Sequence, residues 1–224
     1  MTNLIIIGAG GFALEVTAYA EDIAKAGTAL TIKGFLDDTK APGAFHAGYP
    51  ILGPTDAALD PDAHYVIALG HTKHRTMLAA KLSAKGVRWA RLVHPLAYIA
   101  TSATLGTGCI IAPFAFIGPA VTLADQVVVN VHATIGHEAR IGSCAVLSPY
   151  ANINGAARLA DGVFVGSSAT VINGITVGAR SKISAGAVVF NDVPPDTLAR
   201  GNPAFRPIVD QCVKGEPAAI LLVE

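Results

Sequence analysis

Ala115-Phe116-Ile117-Gly118-Pro119-Ala120, Val121-Thr122-Leu123-Ala124-Asp125-Gln126 and Val127-Val128-Val129-Asn130-Val131-His132 are three consecutive hexads, each with an aliphatic residue in its third place. Outward from them the pattern holds from Ile99 to Val189, sixteen positions without a break. Two residues before each stands a small or apolar side chain, alanine in ten of the sixteen cases. Glycine often follows directly, as at Gly106, Gly118, Gly136, Gly142, Gly166 and Gly178.

A period of six matches neither the 3.6 of a helix nor a plain strand alternation. It matches a coil with three flat sides, each one short strand and a turn. Side chains alternate along a strand, so each aliphatic residue and the one two before it share the inner side. Sixteen hexads over three sides make about five coils, a prism roughly 25 Å long at the spacing of paired strands. Such coils bury their apolar faces only against neighbours. An α-helix would lose its apolar face within two turns, and a sandwich would not keep one register this long. No formal charge apart from His94 lies between Arg91 and Asp125, a stretch long enough to span a membrane. Pro95, Pro113 and Pro119, the many Thr and Gly, and the absence of a flanking basic cluster exclude such a span.

Among 224 residues, 16 are basic and 16 acidic, so no basic footprint for nucleic acid or an anionic membrane is present. The 52% hydrophobic and 14% charged content fits a fold that buries small aliphatic side chains. Cys109, Cys144 and Cys212 share no ligand-like spacing, and the N-terminus shows no signal peptide. A cytoplasmic protein without disulfides or metal is expected.

Residues 1–92 read as a separate, Rossmann-like parallel α/β domain. Leu4–Ile7 is a buried strand, Gly8-Ala9-Gly10-Gly11 a tight turn, and Phe12 to Ala26 a helix. Thr31–Leu36 is a second strand ending in Asp37-Asp38, and Tyr65–Leu69 a third, followed by a helix through about Lys85. Gly8, Gly10 and Ala13 keep the spacing of a nucleotide-binding turn, where backbone amides at a helix start meet phosphate. The acid pair is suited to a ribose or base. His71, His74 and Arg75 follow the third strand as candidates to reach a diphosphate, Arg75 foremost because guanidinium pairs with phosphate. The β-helix is assigned to 93–193, and 194–224 to a closing segment and tail.

With both halves in view the chain resembles the hexapeptide-repeat sugar acyltransferases, which include sialic acid O-acetyltransferases and the bacillosamine- and perosamine-type N-acetyltransferases. The resemblance covers residues 3 to about 208. It rests on Ile7-Gly8-Ala9-Gly10-Gly11, Phe35-Leu36-Asp37-Asp38, Ala68-Leu69-Gly70, Val93-His94-Pro95, Val129-Asn130, Ile135-Gly136-His137-Glu138, Val193-Pro194-Pro195-Asp196 and Gly201-Asn202-Pro203-Ala204. It implies a homotrimer of left-handed β-helices with acetyl-CoA between neighbouring subunits, and a nucleotide-linked sugar held partly by the first domain. It further implies His137 as catalytic base with Glu138 as its partner. It also implies Gly10, Gly11, Asp37 and Asp38 as nucleotide-sugar contacts and Gly155 at the thioester end of the cofactor. Beside these, Phe12, Arg75, Asn130 and His132 are expected substrate contacts, and Ser167, Gly174 and Ala185 expected cofactor contacts. Two positions depart from the family. Phe12 stands where a phosphate-facing histidine is usual, and Val146 where relatives often carry a cofactor-contacting histidine.

Acetyl transfer from a thioester needs a base near the nucleophile and a donor for the developing oxyanion. His137 and Glu138 fall outside the inward positions of their hexad, so they are expected at a coil corner, where the carboxylate orients the ring. A zinc site of the gamma-type carbonic anhydrase kind needs three protein ligands, and the repeat offers only His132 and His137. The expected function is N-acetylation of a nucleotide-linked amino sugar of the 4-amino-4,6-dideoxy type. Sugar or sialic acid O-acetylation is the alternative, and a non-catalytic nucleotide-sugar-binding protein a remote third.

Overall fold

The computed structural model describes residues 2–203; Cys212, Ala204 and the rest of the expected tail lie outside the described residues. β1 (Thr2–Ile7) is buried from Leu4 onward and sits between β2 (Leu30–Leu36) and β5 (Ala63–Ile67), parallel to both. α1 (Gly11–Lys25) covers one side of this sheet and α2 (Thr72–Ser83) the other. A hairpin not foreseen from the sequence, β3 (Phe45–His46) and β4 (Tyr49–Gly53), extends the sheet beside β2 in the order β3-β4-β2-β1-β5. Its turn residues, Ala47 at φ 48° and Gly48 at φ 82°, have the paired positive φ that matches the twist of a two-residue hairpin.

From Leu92 the chain winds into a left-handed parallel β-helix. Its two-residue strands run from β6 (Leu92–Val93) to β23 (Leu198–Ala199) and form three sheets of seven, six and five strands. These are called faces I, II and III in the order the chain visits them. The last strand lies in the expected closing segment, yet it pairs with β21 (Lys182–Ile183) as one more rung of face I. Partners are 18 residues apart, such as Ile117 with Ile135 and Val129 with Leu147, except in that last rung, where Ile183 meets Ala199 after 16. The interior is the predicted set, Ile117, Leu123, Val129 and Ile135 with Ala115, Val121, Val127 and Ala133, all essentially inaccessible. From Gly108 to Gly186 each corner turns through a left-handed residue three places after the aliphatic one. Glycine fills it at Gly108 and Gly162, and larger residues at Phe114, Gln126, His132, Glu138, Cys144 and Tyr150.

The outward positions of the three faces differ in kind. Face I shows Ile110, Val128, Val146 and Phe164, which pack against Ala13, Val16 and Ala20 of α1. Face III shows Thr122, Arg140, Arg158 and Thr176, all exposed. Face II shows Tyr98, Phe116, Thr134, Asn152, Thr170 and Val188, with no charge among them.

Two polar joints fasten the halves together. His94 is buried; its Nε2 meets Asp22 Oδ2 of α1 at 3.4 Å, and its Nδ1 accepts from the Leu96 N–H. Arg75 of α2 is wholly inaccessible; its guanidinium donates to the Gln126 carbonyl at 2.6 Å and the Ile67 carbonyl at 2.5 Å. Arg75 is therefore not a phosphate ligand. It links β5 to the corner between faces III and I, and burial pulls its guanidinium down to about 10, against the influence of Cys144 and Cys109. Arginine rather than lysine suits this place, since a planar fork reaches several carbonyls at once.

Candidate active site

His137 and Glu138 occupy the corner between faces II and III. They follow the strand Thr134–Ile135, and Glu138 takes the left-handed turn position at φ 60°. That turn brings neighbouring side chains to one side, which an extended strand would not allow. Imidazole Nδ1 lies 3.0 Å from Glu138 Oε2, and the two side chains are 61% and 68% exposed. With Nδ1–H donating to the carboxylate, Nε2 is the nitrogen left to accept a proton.

One coil further on, Gly155 sits directly against the ring. A Cβ there would stand 2.5 Å from His137 Nε2 and 2.6 Å from Cε1. The φ of Gly155 is not in the left-handed region, so space and not backbone freedom excludes a side chain. The Gly155 carbonyl accepts from the Gly174 N–H, while the Gly155 N–H donates to no acceptor among the described residues. In the next coil the column under His137 and Gly155 continues with exposed Asn173, and the turn column of Glu138 and Ala156 continues with exposed Gly174.

The other expected contacts divide between places. Ser167, Ala185 and His132 lie at the corner between faces I and II, one whole face away from His137 within the protomer. Asn130 is buried and donates from Nδ2 to the Leu147 carbonyl at 3.0 Å, which makes it a corner brace and not an exposed substrate contact. Asp37 and Asp38 do lie at the carboxyl end of the sheet, on a cleft of about 750 Å³ with Gly8, Thr39, Thr55 and His74. Both are already engaged in loop structure. Asp37 accepts from the Ala9 N–H at 2.7 Å and from Thr39, and Asp38 accepts from the N–H and hydroxyl of Thr55. Partial burial raises the Asp37 carboxyl, but the Thr39 and Ala9 hydrogen bonds outweigh it and hold the group below the usual range.

Gly10 caps α1 and Gly11 begins it, both exposed, and no side chain caps that end. Phe12 turns away from the turn into an apolar cluster with Val146, Val131 and Phe164. The two departures from the family pattern thus belong to one apolar cluster between the domains. His46 lies beside the same turn, its Nε2 3.2 Å from the Gly10 carbonyl. Only the unforeseen hairpin brings it there. Among the described residues, no group of three or more His, Cys, Asp or Glu side chains is placed to hold a metal ion. No helix among them is long and apolar enough to cross a membrane.

Comparison with known proteins gives this site a context. Residues 3–82 match the family of the PglD N-terminal domain. The acetyltransferase domain of PglB from Neisseria gonorrhoeae is 30% identical, over 92% of this chain and 100% of that one, with a TM-score of 0.83. PerB from Caulobacter crescentus, solved in complex with CoA and GDP-perosamine, is 28% identical over 92% and 98% of the two chains, with a TM-score of 0.84. A Schizosaccharomyces pombe protein bearing an acetyltransferase name is 61% identical over 31 residues, which span only 15% of its length. With a relative 30% identical along its whole length, both domains matched in order, and the β-helix intact, the chain belongs to the sugar acyltransferase family with hexapeptide repeats.

Proposed function

We propose that the protein transfers an acetyl group from acetyl-CoA to the amine of a nucleotide-linked amino sugar of the 4-amino-4,6-dideoxy type. The observation that carries this is the His137–Glu138 pair at 3.0 Å with Gly155 bare beneath its ring. The likeness to PerB, bound to CoA and GDP-perosamine, and to a PglB domain solved with acetyl coenzyme A supports the same substrates here. His137 takes the proton from the attacking amine at Nε2 as the new C–N bond forms, and Glu138 steadies the imidazolium. The Gly155 N–H faces the carbonyl oxygen as charge develops on it. As the C–S bond breaks, the imidazolium returns the proton to the departing sulfur. No covalent enzyme intermediate is required.

The site is composite in this reading. Face I is covered by the first domain and face III carries arginines, so uncharged face II is the surface suited to neighbouring copies in a homotrimer. Packing there sets the II–III corner of one copy, with His137, Gly155 and Gly174, against the I–II corner of the next, with His132, Ser167 and Ala185. The nucleotide then lies across Gly10, Gly11, Asp37 and Asp38, and its sugar passes the apolar wall at Phe12.

Thiol release from acetyl-CoA against a panel of nucleotide-linked 4-amino sugars, with sialic acid alongside, tests the proposal. Release with an amino sugar, and a fall of about 100-fold or more in His137→Ala at unchanged stability, is expected. Release with sialic acid alone moves the acceptor to a hydroxyl, and near-normal turnover in His137→Ala refutes the base.

A further inference from the structure

The corner between faces I and II carries three aromatic rings one coil apart, Phe114, His132 and Tyr150. Phe114 and His132 stack with centroids 4.9 Å apart at 12°, and His132 and Tyr150 at 4.8 Å and 8°. Each ring sits on a left-handed residue, with φ of 59°, 57° and 61°. Glycine would hold that conformation without strain, whereas a bulky residue is strained there. The rings give nothing to the core in return, since Phe114 is 53% and Tyr150 57% exposed. Below Tyr150 the same column drops to Ser168 and Gly186. The stack therefore ends on the exposed phenol ring of Tyr150, packed on one face by His132.

Height along the prism assigns the ring a place. His132 and His137 belong to one coil, and Tyr150 and Gly155 to the next. Copies related by an axis parallel to the prism keep these heights. A second copy's His132 then stands level with His137, and its Tyr150 level with Gly155. We infer that Tyr150 of the neighbouring copy walls the acyl side of the site and restricts the donor to short acyl groups, a role that rests on the intersubunit acyl-transfer site proposed above. A rigid ring held by a parallel stack leaves little room beside Gly155, and a pocket filled in this way discriminates about tenfold or more per added methylene.

The test compares acetyl-, propionyl- and butyryl-CoA with wild type, Tyr150→Gly and Tyr150→Phe, each checked for trimeric state by light scattering. Tyr150→Gly removes the wall and relieves the backbone at once, and should raise the butyryl-to-acetyl ratio of kcat/KM about tenfold or more. Tyr150→Phe keeps the bulk and should retain the wild-type ratio. A ratio within twofold of wild type in trimeric Tyr150→Gly overturns the inference, as does loss of turnover with all three thioesters. Dissociation of Tyr150→Gly to monomers also overturns it, because the ring would then be interface packing. Wild-type protein that releases thiol from no thioester refutes the acyl-transfer reading and the inference with it, whereas turnover with an unchanged ratio refutes the inference alone.

Discussion

Gly155→Ala adds a single methyl group beside the base. Its Cβ would stand 2.5 Å from His137 Nε2, where ordinary contact begins at 3.4 Å, so ring and methyl must separate by about 0.9 Å. The backbone gives little, because the Gly155 carbonyl is tied to the Gly174 N–H and the Ala156 N–H to the His137 carbonyl. The exposed imidazole gives instead, swinging off the carboxylate that now holds it at 3.0 Å. A misplacement near 1 Å at a reacting group costs about 100-fold in rate. Stability should change little, because φ at 155 suits alanine and the lost glycine entropy offsets the crowding by about 0.4–1 kcal/mol. Steady-state thiol release and thermal melting on the same preparation read both quantities. The expected result is kcat down about 100-fold with Tm within about 3 °C of wild type. A variant within threefold of wild-type kcat would refute the claim that Gly155 is bare to seat the His137 ring.

Three further outcomes follow from the joints and the core. Arg75→Ala leaves the Ile67 and Gln126 carbonyls without their donor and opens a cavity between the domains, so urea unfolding should show a loss of about 3 kcal/mol or more. Arg75→Lys should recover only part of that, since one ammonium does not span the same carbonyls. Burial pushes the Cys109 thiol from 9.0 up to about 11, with Arg75 pulling weakly the other way. The folded thiol stays neutral while the unfolded one ionises above 9.0, so stability should fall as pH rises between 9.0 and about 11, by up to ~3 kcal/mol. Denaturant midpoints across that range measure it, with Cys109→Ala flattening the dependence. At pH 8 the native Cys109 should resist iodoacetamide, and mapping of the labelled peptides checks this.

The repeat and its consequences were legible in the chain alone, for a physical reason. A hexad that returns Ile117, Leu123, Val129 and Ile135 to the same side repeats a local rule, and each coil needs only its neighbours to satisfy it. The same periodicity set His137 and Glu138 off the inner positions, and so on a corner. What the chain did not show was which of the remaining polar residues face solvent. Arg75 and His74 are adjacent on α2, yet one faces the β-helix and is wholly buried while the other lines the cleft with Asp37 and Asp38. That difference depends on where α2 docks, a relation between segments some fifty residues apart. Asn130 turned inward for the same kind of reason, because the Leu147 carbonyl one coil away accepts from it.

The hairpin Phe45–Gly53 escaped because its strands are short and carry Pro50, so they show neither alternation nor length. With it went His46, whose approach to Gly10 exists only once the sheet is assembled. The packing of Phe12 against the cluster that holds Val146 was likewise invisible as sequence, since the two lie 134 positions apart in different domains. The sequence by itself determined the coil, its interior and the corner of the base, because these are periodic and local. The tertiary structure alone decided which charges are buried and which face is covered, because these depend on how the first domain packs against the prism.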